Sequence, residues 1–280
     1  QQVLSRGHYQ DIRPFNAGFY KIKQEDHWGM INLEGELVIP AAYEGLQSLG
    51  AHFFLVEKEG QVGVVSIRGE KLLEPVFDEI ILLKGGLFLV KQNSQWGIRS
   101  AFGTAFTEVK YTSFDFLADH YLRLYTYGEK HLFSLACQKV IAQERISRFL
   151  PISEQYVMIK QGQKVGVVDY CGQPVLVEDY DEILWFADGV FRVKRQGKWA
   201  LAGTGDHLLT PFRFDYISPA NSIGLAKNRL NGRIGLINQD GELVIEAHYE
   251  RIELNDQLAK GFSGQEVDLF KFDSKGQLLG

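Results

Sequence analysis

Five acidic residues recur at one position of a repeated pattern, each directly after an aromatic residue: Glu44, Asp78, Asp181, Asp215 and Glu250. Carboxylates gathered around one axis would bind a cation or a sugar. A catalytic pair, however, needs two carboxylates with separated pKa values, whereas repetition gives these side chains similar surroundings. We therefore expect each acid to accept hydrogen bonds from backbone or turn groups within its own repeat.

Tryptophan recurs at a second position, where it could serve as a platform for sugar rings. Val or Ile takes this place in other repeats, and an aliphatic side chain fills space without stacking usefully on a sugar ring. The expected role is therefore core packing. The structural anchors of the pattern are Trp28, Gly29, Trp96, Gly97, Trp199 and Gly235.

Other residue types with chemical potential show no useful spacing. The seven histidines form no His-Glu-x-x-His motif and no ligand set with cysteines or acids, so neither a metal nor a cofactor is expected. Cys137 and Cys171 fall at the same turn position of neighbouring repeats, which raises the question of a disulfide. Because equivalent turn tips should be farther apart than the roughly 7 Å that a disulfide allows between Cα atoms, free thiols are expected.

Four residues break the rule of their own repeat and are the candidate binding residues: Trp185, Tyr125, Tyr127 and His131. In the predicted strand 121–127, Tyr125 stands where other repeats carry Lys or Glu. Trp185 is predicted in a connecting loop where other repeats carry Ser, Leu, Phe or Pro. Exposed aromatic side chains off the packing pattern need a reason other than the core, although drift between repeats also explains such residues.

These residues are positioned by a repeat of 34 or 35 residues. The pattern starts at Trp28 and returns at Val62, Trp96, His131, Val165, Trp199, Ile234 and, in degenerate form, Leu269. A fixed period in this range is the signature of a repeat architecture. Gly-containing turns between β-branched runs predict hairpins, so each repeat is expected to be a four-stranded antiparallel meander.

The two ends of the chain complement each other in this frame. Residues 9–23 resemble the back half of a repeat, and residues 269–280 resemble a front half. We therefore predict an all-β repeat protein, a single domain over residues 1–280. Its eight repeats of about 35 residues would form a closed eight-bladed β-propeller with one blade split between the termini. The alternative is an open β-solenoid.

The anchor motifs resemble a known family. Residues 27–29 (HWG), 95–97 (QWG) and 198–200 (KWA), with the turns and aromatic-plus-acid steps that follow them, are similar to the bacterial WG repeat family, also called KWG repeats. The likeness covers nearly the whole chain, although Ala200 departs from the pattern. It implies an interaction module or a module of the cell envelope, with no shared chemistry.

Composition excludes some function classes. A net charge of −5 without a Lys or Arg cluster argues against nucleic acid as a partner. No apolar run approaches the roughly 18 residues of a membrane span. The chain begins at Gln1 without Met and without a charged-then-apolar leader, so either a signal peptide has been removed or the sequence has been trimmed. An extracytoplasmic home, in the periplasm or at the cell surface, fits the first of these.

Three functions remain open at this point. The first is a non-enzymatic binding or scaffold module that presents loop faces to a protein or glycan partner. The second is a carbohydrate-active enzyme with a site in the axial funnel, which requires unlike acids, or a His and an acid, at one opening. The third is a structural spacer within a larger assembly. Because a fold hosts many functions, the choice rests on the site.

Overall fold

A computed structural model describes residues 8–16, 18–117, 119–142, 146–153 and 155–279. The all-β prediction is confirmed, since 64% of the residues lie in strands. Within the described ranges there is no α-helix, and the helical elements are single 3-10 turns at Lys84–Gly86 and Thr204–Asp206. Accordingly, no helix found in those ranges has the length and apolar character needed to cross a membrane.

The strands of the described residues form eight antiparallel sheets, numbered here in chain order, in which consecutive strands are neighbours. Sheet 1 holds β1 (Asp11–Pro14), β2 (Phe19–Gln24), β3 (His27–Asn32) and β4 (Leu37–Tyr43). Sheet 2 holds β5 (Gly45–Leu49), β6 (Phe53–Lys58), β7 (Gln61–Ser66) and β8 (Lys71–Phe77). Sheet 3 holds β9 (Glu79–Leu82), β10 (Leu87–Gln92) and β11 (Gln95–Ser100). Sheet 4 holds β12 (Ser113–Leu117), β13 (Tyr121–Thr126), β14 (Glu129–Ser134) and β15 (Lys139–Ala142).

The remaining four sheets repeat this order. Sheet 5 holds β16 (Ile146–Pro151), β17 (Tyr156–Gln161), β18 (Lys164–Asp169) and β19 (Pro174–Tyr180). Sheet 6 holds β20 (Glu182–Ala187), β21 (Val190–Arg195), β22 (Lys198–Gly203) and β23 (His207–Leu208). Sheet 7 holds β24 (Tyr216–Ile217), β25 (Ala226–Leu230), β26 (Arg233–Ile237) and β27 (Leu243–Tyr249). Sheet 8 holds β28 (Arg251–Asn255), β29 (Leu258–Ser263), β30 (Glu266–Phe272) and β31 (Leu278–Leu279).

The predicted turn after the third strand is fastened by a short polar side chain. In sheet 1, Asn32 Oδ1 accepts hydrogen bonds from the backbone N–H groups of Glu34 (3.1 Å) and Glu36 (2.8 Å). Equivalent acceptors in other sheets are Ser66, Ser100, Asp169, Asn238 and Asp273. Such side chains mimic a backbone turn, so one hydrogen-bonding device recurs along the chain.

The anchor residue pairs with the aromatic residue of the fourth strand. Trp28 is the register partner of Tyr43, and Trp96 is bridged to Tyr111. Between the Trp28 and Met30 pairs, β4 carries two extra residues, which form a bulge over Gly29. A Cβ on Gly29 would lie 2.6 Å from the Ile39 carbonyl oxygen and 2.7 Å from the Ala41 nitrogen. Glycine is therefore required because another backbone crosses directly over it.

Pairing corrects the sequence frame in two sheets. In sheet 4, Lys130 holds the anchor position opposite Tyr125, and His131 stands in the place of the glycine. In sheet 8, Val267 pairs with Phe262 at the anchor position, two residues before Leu269. The predicted anchors His131 and Leu269 are therefore wrong. In sheet 4, polar residues stand at both the anchor position and the glycine position, which obscures the repeat pattern in the sequence. In sheet 8, a longer third strand shifts the recognisable pattern away from the true anchor position.

The cores lie between consecutive sheets. Between sheets 1 and 2, Met30 and Tyr43 pack with Phe54 and Val56. Corresponding clusters join sheet 2 to 3, 3 to 4, 5 to 6, 6 to 7 and 7 to 8. A sheet with a neighbour on each face needs apolar side chains on both faces of its central strand, as the sequence indicated.

The chain divides into two compact units, residues 1–140 and 141–280. The prediction of a blade split between the termini is wrong, because sheet 1 is built entirely from residues 11–43 and sheet 8 from residues 251–279. The repeats of the sequence analysis were counted from the anchor residue, which lies in the third strand of each sheet and not at a sheet boundary. Counted in this way, each end of the chain resembles half a repeat. Each sheet of the described residues is an open sheet of three or four strands. The closed ring of sheets and the single domain over residues 1–280 stay predictions.

Replacing a glycine under the bulge should destabilise the protein. We expect Gly63→Ala to lower the free energy of unfolding by about 2–3 kcal/mol, because its Cβ would lie 2.6 Å from the Leu73 carbonyl oxygen. Gly203→Ala is the matched control, since its nearest neighbour is 3.8 Å away and its φ is −87°. Urea unfolding measures both, and equal losses would contradict the crossing-strand explanation.

Candidate functional site

Two of the recurring acids, Asp181 and Asp215, are engaged in structural contacts. Asp181 accepts hydrogen bonds from Lys164 Nζ (2.6 Å) and from the Gln196 backbone N–H (2.7 Å). Asp215 accepts from Lys198 Nζ at 2.6 Å. The hydrogen bond from lysine is the main cause that holds the pKa of each carboxyl below its usual range. The expected turn contact is present within one repeat, since Asp181 and Gln196 both lie between the anchor positions Val165 and Trp199.

Tyrosine hydroxyls mark the three sheets that lack the anchor glycine. Tyr111 bonds to His131 Nδ1 (2.9 Å), and Tyr249 donates to Asp268 (2.6 Å). His131 and Asp268 both stand in the place of the glycine. In the third case, where Ala200 replaces the glycine, Tyr180 donates to Asp206 at 2.5 Å. Each hydroxyl joins its own sheet to the next one.

These contacts perturb the phenols. Burial is the main cause that raises the pKa of Tyr111 to about 12, with Glu108 and Glu129 adding to it. The hydrogen bond to Asp268 is the main cause that raises the pKa of Tyr249 to about 12. Burial and the bond to Asp206 also raise the pKa of Tyr180. All three phenols are therefore held neutral in the folded chain.

The structure does not gather Tyr125, Tyr127 and His131 into one site. Tyr125 donates to Asp115 (2.8 Å), which also accepts from Arg123 (2.5 Å). His131 is 4% exposed and pairs with Leu124, so it lies on the opposite face of sheet 4 from Tyr125. Tyr127 lies in the turn after β13 with 87% of its surface exposed.

Trp185 lies in strand β20, so its predicted place in a connecting loop is wrong. Its ring centroid is 5.8 Å from that of Phe191 and 6.1 Å from that of Tyr156. The Trp185 carbonyl accepts a hydrogen bond from Arg192 Nε at 3.0 Å. Trp185 packs against the core cluster between sheets 5 and 6, which also contains Val165 and Ile183.

The cysteines are also corrected. Cys137 and Cys171 are both disulfide-bonded, so the expected free thiols are wrong. The expectation of free thiols assumed that each cysteine lies at the tip of its turn, too far from the equivalent tip of the neighbouring repeat for a disulfide. Instead, the turn that carries Cys171 lies against a strand, since a Cβ on Gly172 would be 2.8 Å from the Ile141 carbonyl oxygen. Because this turn lies against strand β15 and not beside the tip of another turn, the tip-to-tip separation does not apply to Cys171.

A groove of about 210 Å³ opens between sheets 5 and 6. We call it the Val165 groove; its lining consists of Arg148, Leu150, Met158, Lys160, Val165, Asp181, Glu182, Ile183 and Leu184. Val165 (6% exposed) and Ile183 (1% exposed) form its floor, while Leu150 is 39% exposed at its edge. The sequence did not identify this groove, because its residues come from four strands of two repeats.

The rim of the Val165 groove carries both signs of charge. Arg148 and Lys160 are cross-strand partners at one end. Asp181 is paired with Lys164, and Glu182 lies 3.5 Å from Lys194 at their charged atoms. An apolar floor with a charged rim is the usual anatomy of a surface that binds another protein. Elsewhere, no cluster of three or more potential metal-ligating side chains is found over residues that the structure describes.

Three segments of the chain match a known repeat family. The family model described as "WG containing repeat" matches residues 28–60, 63–96 and 234–258, which confirms the resemblance to that family. Each match begins at an anchor residue or at the glycine after it. No curated protein sequence matches the chain.

Similarity to solved structures is weak. One is titled as a eukaryotic initiation factor (13% identity, 94% of each chain covered, TM-score 0.30). Another is Hsv2 of Kluyveromyces lactis (10% identity, 69% of this chain and 74% of the other, TM-score 0.31). A third is apo AztD of Citrobacter koseri (13% identity, 81% and 80%, TM-score 0.27). At these scores they carry no argument about this chain.

Alkaline pH should destabilise the fold through the phenols whose pKa is raised. An unfolded tyrosine ionises near pH 10.0, whereas Tyr111 and Tyr249 ionise near pH 12 in the folded chain. Between these values the unfolded state binds fewer protons, so the free energy of unfolding falls as pH rises. Urea unfolding across this window measures the slope, and Tyr249→Phe should make it shallower.

Gly63→Ala is the control for this experiment. It should lower the stability at every pH and leave the slope between pH 10 and 12 unchanged, because it removes no titrating group. A wild-type profile that stays flat through this window would contradict the shifted phenols.

Proposed function

We propose that the chain is a non-enzymatic binding module that receives a protein partner in the Val165 groove. The observation that carries the proposal is a half-open apolar groove set between charged residues on a repeat scaffold. Leu150, Met158 and Leu184 leave apolar surface accessible there, and desolvating such surface drives association.

The lining favours a protein partner over a glycan. Sugar sites use aromatic platforms together with converging hydrogen-bond donors and acceptors. The described lining contains no aromatic ring: its apolar part consists of aliphatic side chains and Met158, and its charged residues stand at the rim. Trp185 is engaged with Tyr156 and Phe191. A polypeptide supplies the apolar side chains that such a surface accepts.

The non-enzymatic part of the proposal rests on the acids. Asp181 and Asp215 are each engaged by a lysine and kept ionised, so the two carboxylates resemble each other. A carboxylate pair for acid and base catalysis needs unlike environments. Release of reducing ends from a panel of polysaccharides would contradict this part and favour the carbohydrate-active alternative.

A closed eight-bladed propeller belongs to this proposal. It is supported by eight sheets of one strand order and by cores between consecutive sheets within each unit. Small-angle X-ray scattering tests it, because a closed ring gives a compact particle with a symmetric distance distribution. A long tail in that distribution would favour the open β-solenoid.

An oxidising compartment of a bacterial cell, the periplasm or the cell surface, completes the proposal. Disulfides persist in such compartments and are rare in the reducing cytosol. Both cysteines of this chain are disulfide-bonded, which supports that setting.

The binding proposal predicts that groove variants lose partner peptides. Peptides selected from a random library on the folded wild-type chain should bind Leu150→Asp at least about tenfold more weakly, because a charge replaces apolar contact surface. Val177→Asp is the matched control, since Val177 (44% exposed) lies in the same sheet and does not line the groove. Affinities measured by fluorescence polarisation compare the two variants.

Two outcomes would count against the proposal. One is a library that yields no peptide with saturable binding. The other is a set of peptides that lose as much affinity with Val177→Asp as with Leu150→Asp, since this would place them outside the groove.

A further inference from the structure

Sheet 3 shows how the anchor side chain packs in a repeat that keeps both tryptophan and glycine. Trp96 is 8% exposed and packs in one cluster with Ile81, Leu89 and Phe114. The ring centroids of Trp96 and Phe114 are 4.9 Å apart. The indole therefore lies between its own sheet and the first strand of the next sheet.

The Val165 groove is the same place in sheet 5, without the indole. By strand register, Leu150, Met158, Val165 and Ile183 correspond to Ile81, Leu89, Trp96 and Phe114. The corresponding side chains are apolar in both sheets, and the large difference is Val165 in place of Trp96. The groove is thus the space that an anchor indole occupies elsewhere in the chain.

A lysine accompanies the indole wherever the anchor is tryptophan. The Nζ-to-centroid distances are 5.9 Å for Lys23 and Trp28, 5.2 Å for Lys91 and Trp96, and 5.2 Å for Lys194 and Trp199. An ammonium near the ring face is attracted by the ring quadrupole. Lys160 holds this register position opposite Val165 and lines the groove.

The groove also has the size and access for such a ring. A cavity of about 150 Å³ lined by aliphatic side chains holds a benzene molecule. The Val165 groove measures about 210 Å³ and is open at its Leu150 edge. An indole side chain can therefore enter from outside without displacing the floor.

The occupant must come from another molecule. The chain has four tryptophans. Trp28, Trp96 and Trp199 hold anchor positions of their own sheets, and Trp185 packs against Tyr156 and Phe191.

We infer that the Val165 groove binds a tryptophan side chain of a partner protein, with the indole against Val165 and beside Lys160. The inference rests on the proposed function and names its ligand. Tryptophan is also among the residues that most often dominate binding energy in protein interfaces, because it buries a large rigid surface.

The two methionines make a direct test practical. Met158 lines the groove, whereas Met30 is 0% exposed in the core between sheets 1 and 2. The wild-type chain, labelled with ¹³C at its methionine methyl groups, is titrated with N-acetyltryptophanamide. We expect a saturable shift of the Met158 signal and none of the Met30 signal, and N-acetylalaninamide should shift neither. An unmoved Met158 signal would overturn the inference.

Val165→Trp restores the anchor found in sheets 1, 3 and 6 and should fill the groove. We expect it to fold, with a melting temperature at or above that of the wild type, and to bind the probe at least about tenfold more weakly. Val267→Trp is the matched control, because it is the same change at the same register of sheet 8, where Val267 is 54% exposed. Undiminished binding by Val165→Trp would place the probe elsewhere.

A second variant keeps the test decisive should Val165→Trp not fold. Lys160→Gln leaves the groove floor intact and removes the ammonium beside the ring, so the probe should bind about threefold more weakly. Unchanged affinity would remove the lysine from the inference.

The inference and the proposed function fail in different ways. Selected peptides that require Leu150 but contain no tryptophan would overturn the inference and leave the binding module standing. Absence of any groove-dependent peptide would overturn the proposed function, and a normal Met158 response in that case would show only that the groove accepts an indole ring.

Discussion

The close crossing of the fourth strand over the glycine of the third strand is the constraint on which each complete sheet depends. At Gly29, backbone atoms of Ile39 and Ala41 approach within 2.7 Å of the place where a Cβ would lie. The bulge that makes this crossing also brings Tyr43 back opposite Trp28. Without a side chain at the glycine, the fourth strand closes onto the third, and the anchor and the aromatic residue pack together as one pair. The Trp-Gly motif thus meets two packing requirements: a large side chain at the anchor position and no side chain at the next position.

Where the crossing is relaxed, the chain compensates with polar contacts between sheets. His131, Ala200 and Asp268 replace the glycine, and in each case a tyrosine of the preceding sheet reaches into the sheet concerned. A buried hydroxyl without a partner would cost roughly 1–3 kcal/mol, so these bonds are needed once tyrosine is placed there. In the sheets without the glycine, a tyrosine hydrogen bond therefore connects the sheet to the preceding one.

The repeat period, the hairpins and the all-β fold could be predicted from the sequence, because they depend on turn residues and apolar runs that recur within single repeats. Asn32 and Asp273 fasten the same turn, and glycine marks it, so the pattern is visible in one dimension. The frame of the sheets was less accessible, because the most recognisable residues lie in the third strand and not at a sheet boundary. Trp185 and His131 depart from the repeat pattern in sequence, yet both are packed in the structure. A deviation in sequence does not reveal whether a neighbouring residue has changed to match it.

The Val165 groove illustrates why the candidate site was beyond sequence reasoning. Val62 in sheet 2 makes the same substitution for tryptophan and packs in a cluster with Leu55. Whether valine leaves usable space depends on side chains from two sheets that are distant in sequence. In the sheets that keep the glycine, the backbone is held by the crossing over it and by turn contacts, neither of which involves the anchor side chain itself. The anchor can therefore shrink in one sheet without unfolding it, and the freed volume becomes a surface that already has the shape and the lysine of an indole site. A repeat protein can acquire a binding groove in this way by omitting one of its own side chains.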